Sequence, residues 1–195
     1  MHNRWQAQVS ERLVGNYIED KLIPALKLQG WNEVVYAQSH CFNFYYDENE
    51  SQRPKSRQGV WNNYVHSFLL ENGLYPTEEF MESFKKLTSL LKHSPDGYLF
   101  KFKKTGKVKS LKKHANAQSE LLPIVNGEIE VVEVKSGKAK LFPSQKEDYC
   151  NVLIERFVLR FFQVEVVSFE KNEFGIEEKI ISNSSAFSKI SLKSA

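Results

Sequence analysis

A glutamate and a lysine close a short strand-like segment that is otherwise apolar. Residues Ile129 to Lys135 form a run rich in β-branched residues that ends at Ser136-Gly137, a pattern typical of a buried strand. Side chains alternate between the two faces of a strand, so Glu133 and Lys135 are predicted to point the same way. A buried carboxylate and ammonium are costly without partners. We therefore expect the pair to line a chemically active site.

A second acidic residue precedes another predicted strand. Pro95-Asp96-Gly97 leads into Tyr98–Phe102, and Asp96 is one of only four aspartates in the chain. Glu-x-Lys alone says little, because the triplet also occurs at Glu19-Lys21 and Glu177-Lys179. Pro-Asp before one strand and Glu-x-Lys on the next together resemble the PD-(D/E)XK nuclease superfamily.

The resemblance implies both a fold and a chemistry. The fold is α/β, with a restriction-endonuclease-like core of one helix, three strands, a helix and a fourth strand around a mixed sheet. Asp96, Glu133 and the backbone carbonyl of Val134 would hold one or two Mg²⁺ or Mn²⁺ ions, the cations that carboxylate oxygens favour. Lys135 would position or activate water. The expected activity is metal-dependent hydrolysis of DNA phosphodiester bonds.

Residues 4 to 29 read as a helix that Pro24 interrupts and Gly30 ends. The segment Gly15–Glu19, followed by Gly30-Trp31 and a strand, resembles the first helix of Holliday-junction-resolvase-like members of the superfamily. That resemblance implies that Glu19 completes the acidic site and that the substrate is branched or junction DNA. Glu11 lies eight residues earlier, 80° past two full turns, and is the reserve candidate. A solvated helix face is the alternative for both.

A helix is predicted from Pro143 to Arg156, with Gln145 in its first turn. In the superfamily a Gln at this place commonly borders the site, so the resemblance assigns Gln145 to it, although a simple helix-start residue explains it nearly as well. Gln145 with Tyr149 is also similar to exonuclease-like branches. An exonuclease, a restriction-type enzyme and a catalytically silent DNA-binding module therefore stay open as alternatives.

A lysine-rich stretch follows Asp96, with a hairpin turn predicted at Thr105-Gly106. Such runs are usually solvated faces, but this one projects from the strand that begins at the candidate metal ligand. We expect it to contact DNA phosphates, because lysines that neutralise phosphates release counterions and supply sequence-independent affinity. The expected DNA-binding residues are Lys101, Lys103, Lys104, Lys107, Lys109, Lys112, Lys113 and Lys138.

The chain length suits a single domain. We predict one domain over residues 1–181, with a helical insertion at 47–93 and a basic hairpin insertion at 98–128, followed by a flexible tail at 182–195. Cutting two strands needs two sites, so a homodimer is expected. The inserted helices and one later strand offer apolar surface for it, namely Trp61, Tyr64, Phe68, Phe80, Phe84, Phe161 and Phe162.

Several classes of protein are disfavoured. The chain has no run of 18 apolar residues and no apolar signal core near residue 1, so we expect a cytoplasmic protein without a membrane partner. No Gly-rich phosphate loop precedes a helix, which argues against a nucleotide cofactor. Cys41 and Cys150 lack metal-ligand spacing.

Overall fold

The structure is a computed structural model and describes residues 2–39, 57–109, 121–137, 139–171 and 177–187. The helices are α1 (His2–Tyr17), α2 (Ile23–Leu28), α3 (Arg57–Glu71), α4 (Glu78–Leu90) and α5 (Pro143–Ile154), with a π-helical turn (Ile18–Leu22) between α1 and α2. The strands are β1 (Glu33–Gln38), β2 (Tyr75–Pro76), β3 (Gly97–Lys109), β4 (Leu121–Ser136), β5 (Val158–Lys171) and β6 (Glu177–Phe187).

Five strands form an open mixed sheet in the order β1-β3-β4-β5-β6, and short β2 pairs with β4. β1, β3 and β4 are antiparallel neighbours, whereas β4 and β5 run parallel and are connected through α5. A parallel connection needs such a crossover, because the chain must return to the starting edge of the sheet. The predicted α/β class, with a mixed central sheet flanked by helices, is confirmed.

The two faces of the sheet carry separate apolar clusters, as strand alternation requires. On β3, Tyr98, Phe100 and Phe102 face the cluster that includes residues of α3, α4 and α5. Leu99 of the same strand faces the other way, where it packs with α1 and α2. The sheet is therefore the middle layer between two groups of helices.

The chain between α1 and α2 is distorted where Pro24 requires it. Proline has no N–H and its ring crowds the preceding turn, so a regular α-helix cannot run through it. The structure accommodates one wider turn, in which the amide of Ile23 donates to the carbonyl of Ile18. Gly30 ends α2 at φ +93°, with its amide bonded to Lys27 and that of Trp31 bonded to Leu26. This pairing is a Schellman ending, as the glycine predicted.

β3 and β4 pair continuously from Gly97↔Val132 to Lys109↔Leu121. The register shifts between Lys104 and Gly106, so Thr105 is an extra residue in a β-bulge. The prediction of a turn at Thr105-Gly106 was therefore wrong. Beyond this point the strands stay paired, with Val108 opposite Leu122, and this continued pairing outweighs the local turn preference. Residues 110–120, which connect the strands, lie outside the described part of the chain.

The inserted helices belong to the central core. Thr77 caps α4 by accepting a hydrogen bond of 3.2 Å from the amide of Phe80. The rings of Phe80 and Phe84 are buried against Phe100 of the sheet, at centroid distances of 5.8 and 5.9 Å. Phe162 is also fully buried, in the cluster under α1. Three of the aromatic residues expected at a dimer interface are thus buried in contacts within the chain.

The end of the sheet differs from the sequence prediction. β6 pairs antiparallel with β5 and continues to Phe187, so residues 182–187 are strand rather than tail. Ladder pairing with β5 extends this serine-rich segment, which has few of the residues that usually mark a strand. Residues 188–195 lie outside the described part. Among the described helices, none combines the length and apolar character needed to cross a membrane.

Candidate active site

Asp96 and Glu133 lie opposite each other where β3 begins and β4 approaches its end. Gly97 pairs with Val132 in the antiparallel ladder, so the next pair in the same register is Asp96 and Glu133. The backbones of opposed residues are about 5 Å apart in such a ladder. Two residues separated by 37 positions in the chain, each predicted from its own motif, are thus adjacent.

The start of β3 fixes the backbone of Asp96. Its carbonyl accepts a hydrogen bond of 2.9 Å from the amide of Ser39, at the end of β1. The following residue must be small, because a Cβ on Gly97 would lie 2.8 Å from the ring of Tyr36 and 2.9 Å from the carbonyl oxygen of Ala37. Gly97 therefore allows β1 to approach closely and hold Asp96 at the sheet end.

The side chain of Asp96 is held by β4. Its Oδ2 accepts a hydrogen bond of 2.6 Å from the amide of Val134. The pKa of Asp96 is raised to about 7, mainly by burial and also by the charges of Glu133 and Glu11, while the Val134 amide and Lys135 act in the opposite direction. The Lys135 ammonium and the Val134 amide thus lower the pKa of Asp96 by less than burial and carboxylate repulsion raise it.

Glu133 is buried, with only 1% of its surface exposed, and three side chains donate hydrogen bonds to its carboxylate. Lys135 donates to Oε1, as expected for neighbours on one strand face, and Gln145 donates to the same oxygen at 3.2 Å. Tyr149 donates to Oε2. Burial and the adjacent Glu133 raise the pKa of Tyr149, so its hydroxyl stays a donor. The carboxylate is therefore fixed in orientation by donors from two elements.

Two of these donors, Gln145 and Tyr149, lie on helix α5. They are four residues apart and therefore share one face of the helix. Pro143 occupies the first turn, where a missing amide hydrogen costs nothing. The Oε1 of Gln145 accepts a 3.1 Å bond from the amide of Phe142 while its Nε2 reaches Glu133. Gln145 thus caps α5 and also contacts Glu133. The helix-start interpretation and the placement beside Glu133 are therefore compatible.

The N-terminal helix presents Glu11 rather than Glu19 to this cluster. Ser10, Val14 and Ile18 form the buried stripe. At about 100° per residue, Glu11 lies roughly 60° from the middle of that stripe and Glu19 roughly 140° from it. Accordingly, Glu11 is half-buried and its charge acts on Asp96, whereas Glu19 is exposed at the π-helical turn.

A hard divalent cation fits the chemistry of this cluster. Burial of Asp96 and its repulsion by Glu133 and Glu11 hold the pKa of Asp96 high. A bound cation would favour the charged carboxylate and so lower that pKa. No three His, Cys, Asp or Glu side chains of the described chain are close enough to form a complete site. A cation would therefore need a backbone oxygen such as that of Val134, together with water, as Mg²⁺ commonly retains.

Lys101 is buried in an ion-pair network and is not available to a phosphate. Its ammonium lies 2.8 Å from Glu130 and 2.7 Å from Glu128, and only 7% of the residue is exposed. Glu130 also accepts a 2.6 Å bond from Arg160. Burial acts to raise the pKa of Glu130, but Arg160 and Lys101 outweigh it and lower the value. The network connects β3, β4 and β5.

The four other predicted DNA-binding lysines that the structure describes fall into two groups, those with partners and those that are exposed. Lys103 donates to the Gly30 carbonyl at the end of α2, and its ammonium is 5.0 Å from the centroid of Trp31. Lys104 pairs with Glu33 at 2.9 Å. Lys107 and Lys109 are exposed on the outer part of β3. Lys112, Lys113 and Lys138 lie outside the described residues.

Asp148 is a buried acid that the sequence patterns did not single out. Its Oδ2 accepts bonds of 2.9 Å from the amides of Lys92 and His93 and lies 2.9 Å from Nδ1 of His93. The available signals were the rarity of aspartate in this chain and its position beside Tyr149. These contacts attach the segment before Asp96 to α5.

Comparisons with protein-family models, with curated proteins and with solved structures found no match to this chain.

Proposed function

We propose that this protein is a metal-dependent endonuclease that hydrolyses phosphodiester bonds of DNA, with branched or junction DNA as its substrate class. The observation that carries the proposal is the facing pair of carboxylates, Asp96 and Glu133, with Lys135 donating to one of them. A phosphodiester is an anion, and its hydrolysis requires neutralised charge and an activated water. Acidic ligands beside an ammonium provide for both.

The order of elements supports the same proposal. The chain contains, in order, an N-terminal helix, the antiparallel strands β1, β3 and β4, helix α5 and the parallel strand β5. This is the order of elements expected for the restriction-endonuclease-like core. α3, β2 and α4 then form an insertion between the first and second core strands. In such a core, the acidic residues belong at the adjoining ends of β3 and β4, where Asp96 and Glu133 are found.

In the proposed mechanism, Asp96, Glu133 and the Val134 carbonyl would hold Mg²⁺ or Mn²⁺, as one or two ions, with Glu11 on the side of α1. The bound cation would neutralise the phosphate and lower the pKa of water. Lys135 orients the attacking water through its ammonium. Gln145 and Tyr149 keep Glu133 from rotating, which holds the ligand geometry before substrate arrives.

The two other classes of activity predict different behaviour. An exonuclease or restriction-type enzyme would use the same carboxylates but prefer free ends or a defined duplex sequence. A silent DNA-binding module would bind without turnover. The intact set of Asp96, Glu133 and Lys135 weighs against a silent module, because binding without turnover does not require it.

The test is a panel of end-labelled linear, nicked, flapped and four-way junction DNAs, incubated with Mg²⁺, Mn²⁺ or EDTA. Metal-dependent internal cuts with a preference for branched DNA support the proposal. Stepwise shortening from ends would indicate an exonuclease, and binding without product a silent module. Light scattering of the protein with and without DNA tests the proposed homodimer, since paired cuts require two sites.

A further inference from the structure

His93 and Asp148 form an oriented pair between the end of α4 and the middle of α5. Nδ1 of His93 lies 2.9 Å from Oδ2 of Asp148. The same oxygen accepts two backbone N–H bonds of 2.9 Å, so it acts as an acceptor and Nδ1 carries the hydrogen. Nε2 is then at the opposite side of a ring whose side chain is 45% exposed.

The environment of the pair is asymmetric. Asp148 is 1% exposed, and its Oδ1 has no hydrogen-bond partner within the described residues. The charged groups around it are Lys92 beside the histidine and Glu147 on α5, which pair with each other at 3.0 Å. A buried carboxylate that bonds both the ring and the backbone of one histidine fixes the direction in which Nε2 points.

The pair lies beside the candidate active site. Asp148 precedes Tyr149, whose hydroxyl donates to Glu133, so one turn of α5 contacts both His93 and the acidic site. His93 also lies three residues before Asp96, which limits their Cα separation to about 10 Å. A substrate that spans several nucleotides at Asp96 and Glu133 covers a comparable distance.

We infer that His93 is a further catalytic residue that protonates the leaving oxygen from Nε2, with Asp148 as its positioning residue. This inference rests on the proposed phosphodiesterase function. Water forms the new P–O bond and releases a proton to solvent. The P–O bond on the leaving side breaks, its electron pair goes to the leaving oxygen, and that oxygen takes the proton from Nε2. The neutral imidazole regains a proton from solvent.

The experiment compares two DNA substrates that differ in one atom. The cut position is mapped first, and the bridging oxygen on the leaving side is then replaced by sulfur, which departs as a thiolate without protonation. In Mn²⁺, His93→Ala should cut the oxygen substrate about 100-fold more slowly than the unaltered protein, as loss of a general acid predicts. It should cut the sulfur substrate at a rate within about threefold of that of the unaltered protein. Asp148→Asn should show the same discrimination with a smaller loss.

His66→Ala is the matched control, because His66 is on α3, packed against Tyr75 at a centroid distance of 6.0 Å. It should cut both substrates normally, and thermal unfolding should show that His93→Ala and His93→Gln remain folded. Equal losses on both substrates would mean that His93 binds or supports the fold only. No loss on either substrate would also overturn the inference. Absence of any cleavage by the unaltered protein would instead refute the proposed function on which it rests.

Discussion

The amide of Val134 donates a hydrogen bond of 2.6 Å to Oδ2 of Asp96. This bond extends the β3–β4 ladder with a side chain in place of a carbonyl, and it turns the Asp96 carboxylate toward β4. Its consequence is that Asp96 and Glu133 share one buried space instead of pointing apart. Burial raises the pKa of Asp96 most, and the repulsion that results from this arrangement adds to it.

Replacing either carboxylate should abolish metal-dependent cleavage. Asp96→Asn or Glu133→Gln removes charge that the cation needs, and a loss of several kcal/mol of transition-state stabilisation corresponds to about 10³-fold or more in rate. The measurement is single-turnover cleavage in Mg²⁺. Glu147→Gln is a matched control, since Glu147 is exposed and pairs with Lys92 at the surface. Full activity in Asp96→Asn or Glu133→Gln would eliminate the nuclease proposal.

The two glutamates of the N-terminal segment should behave differently. Glu11→Gln should lower the cleavage rate about tenfold or more, because the Glu11 charge acts at Asp96. Glu19→Gln serves as the paired control and should leave the rate unchanged, since Glu19 is exposed. Rates at several Mg²⁺ concentrations check whether Glu11 acts through the cation. A larger effect at Glu19 would contradict the placement of α1.

Stability without metal should fall as pH rises from about 4 to 7. The pKa of Asp96 is raised from 3.8 to about 7, so the unfolded chain loses this proton first and the folded state becomes relatively less stable across that range. Thermal unfolding in EDTA at pH 5 and pH 8 measures the effect. Asp96→Asn should reduce the difference between the two melting temperatures and be more stable than the unaltered protein at pH 8.

Added Mg²⁺ should restore stability at pH 8 in the unaltered protein, because an ion that binds only the folded state stabilises it. Asp96→Asn should show a much smaller response to the ion. NaCl at the same ionic strength separates specific binding at the carboxylates from general screening, because Na⁺ screens charge but binds carboxylates weakly. An equal Mg²⁺ response in both proteins would place the bound ion elsewhere.

The exposed and buried lysines of β3 should have separable effects. Replacing Lys107 and Lys109 with Ser should weaken DNA binding and lower the salt slope by up to about two, with little change in unfolding free energy. Lys101→Met should instead destabilise the fold by about 3 kcal/mol or more, because it leaves Glu130 and Glu128 with fewer partners. Fluorescence anisotropy across salt concentrations and urea unfolding make the two measurements. An unchanged salt slope in the double variant would mean that this part of β3 faces away from DNA.

Local rules were sufficient for several features. Strand alternation placed Lys135 on the same face as Glu133, and Gly30 was recognised as a helix boundary from residue type alone. Pro24 predicted the interruption between α1 and α2. Each of these depends on the sterics and hydrogen bonding of a few neighbouring residues, which the sequence states directly.

Contacts between distant segments decided the rest. The choice of Glu11 over Glu19 depends on how α1 rotates to bury Val14 under the sheet, and a rotation is a property of packing. Lys101 became a buried ion-pair partner because β3 has β4 beside it and Trp31 above it, neither of which a run of lysines reveals. His93 and Asp148 are 55 residues apart and meet only because α4 and α5 pack on one face. The sequence by itself determined which groups could do chemistry, and the tertiary structure determined which of them meet, because burial and register arise only when the chain closes on itself.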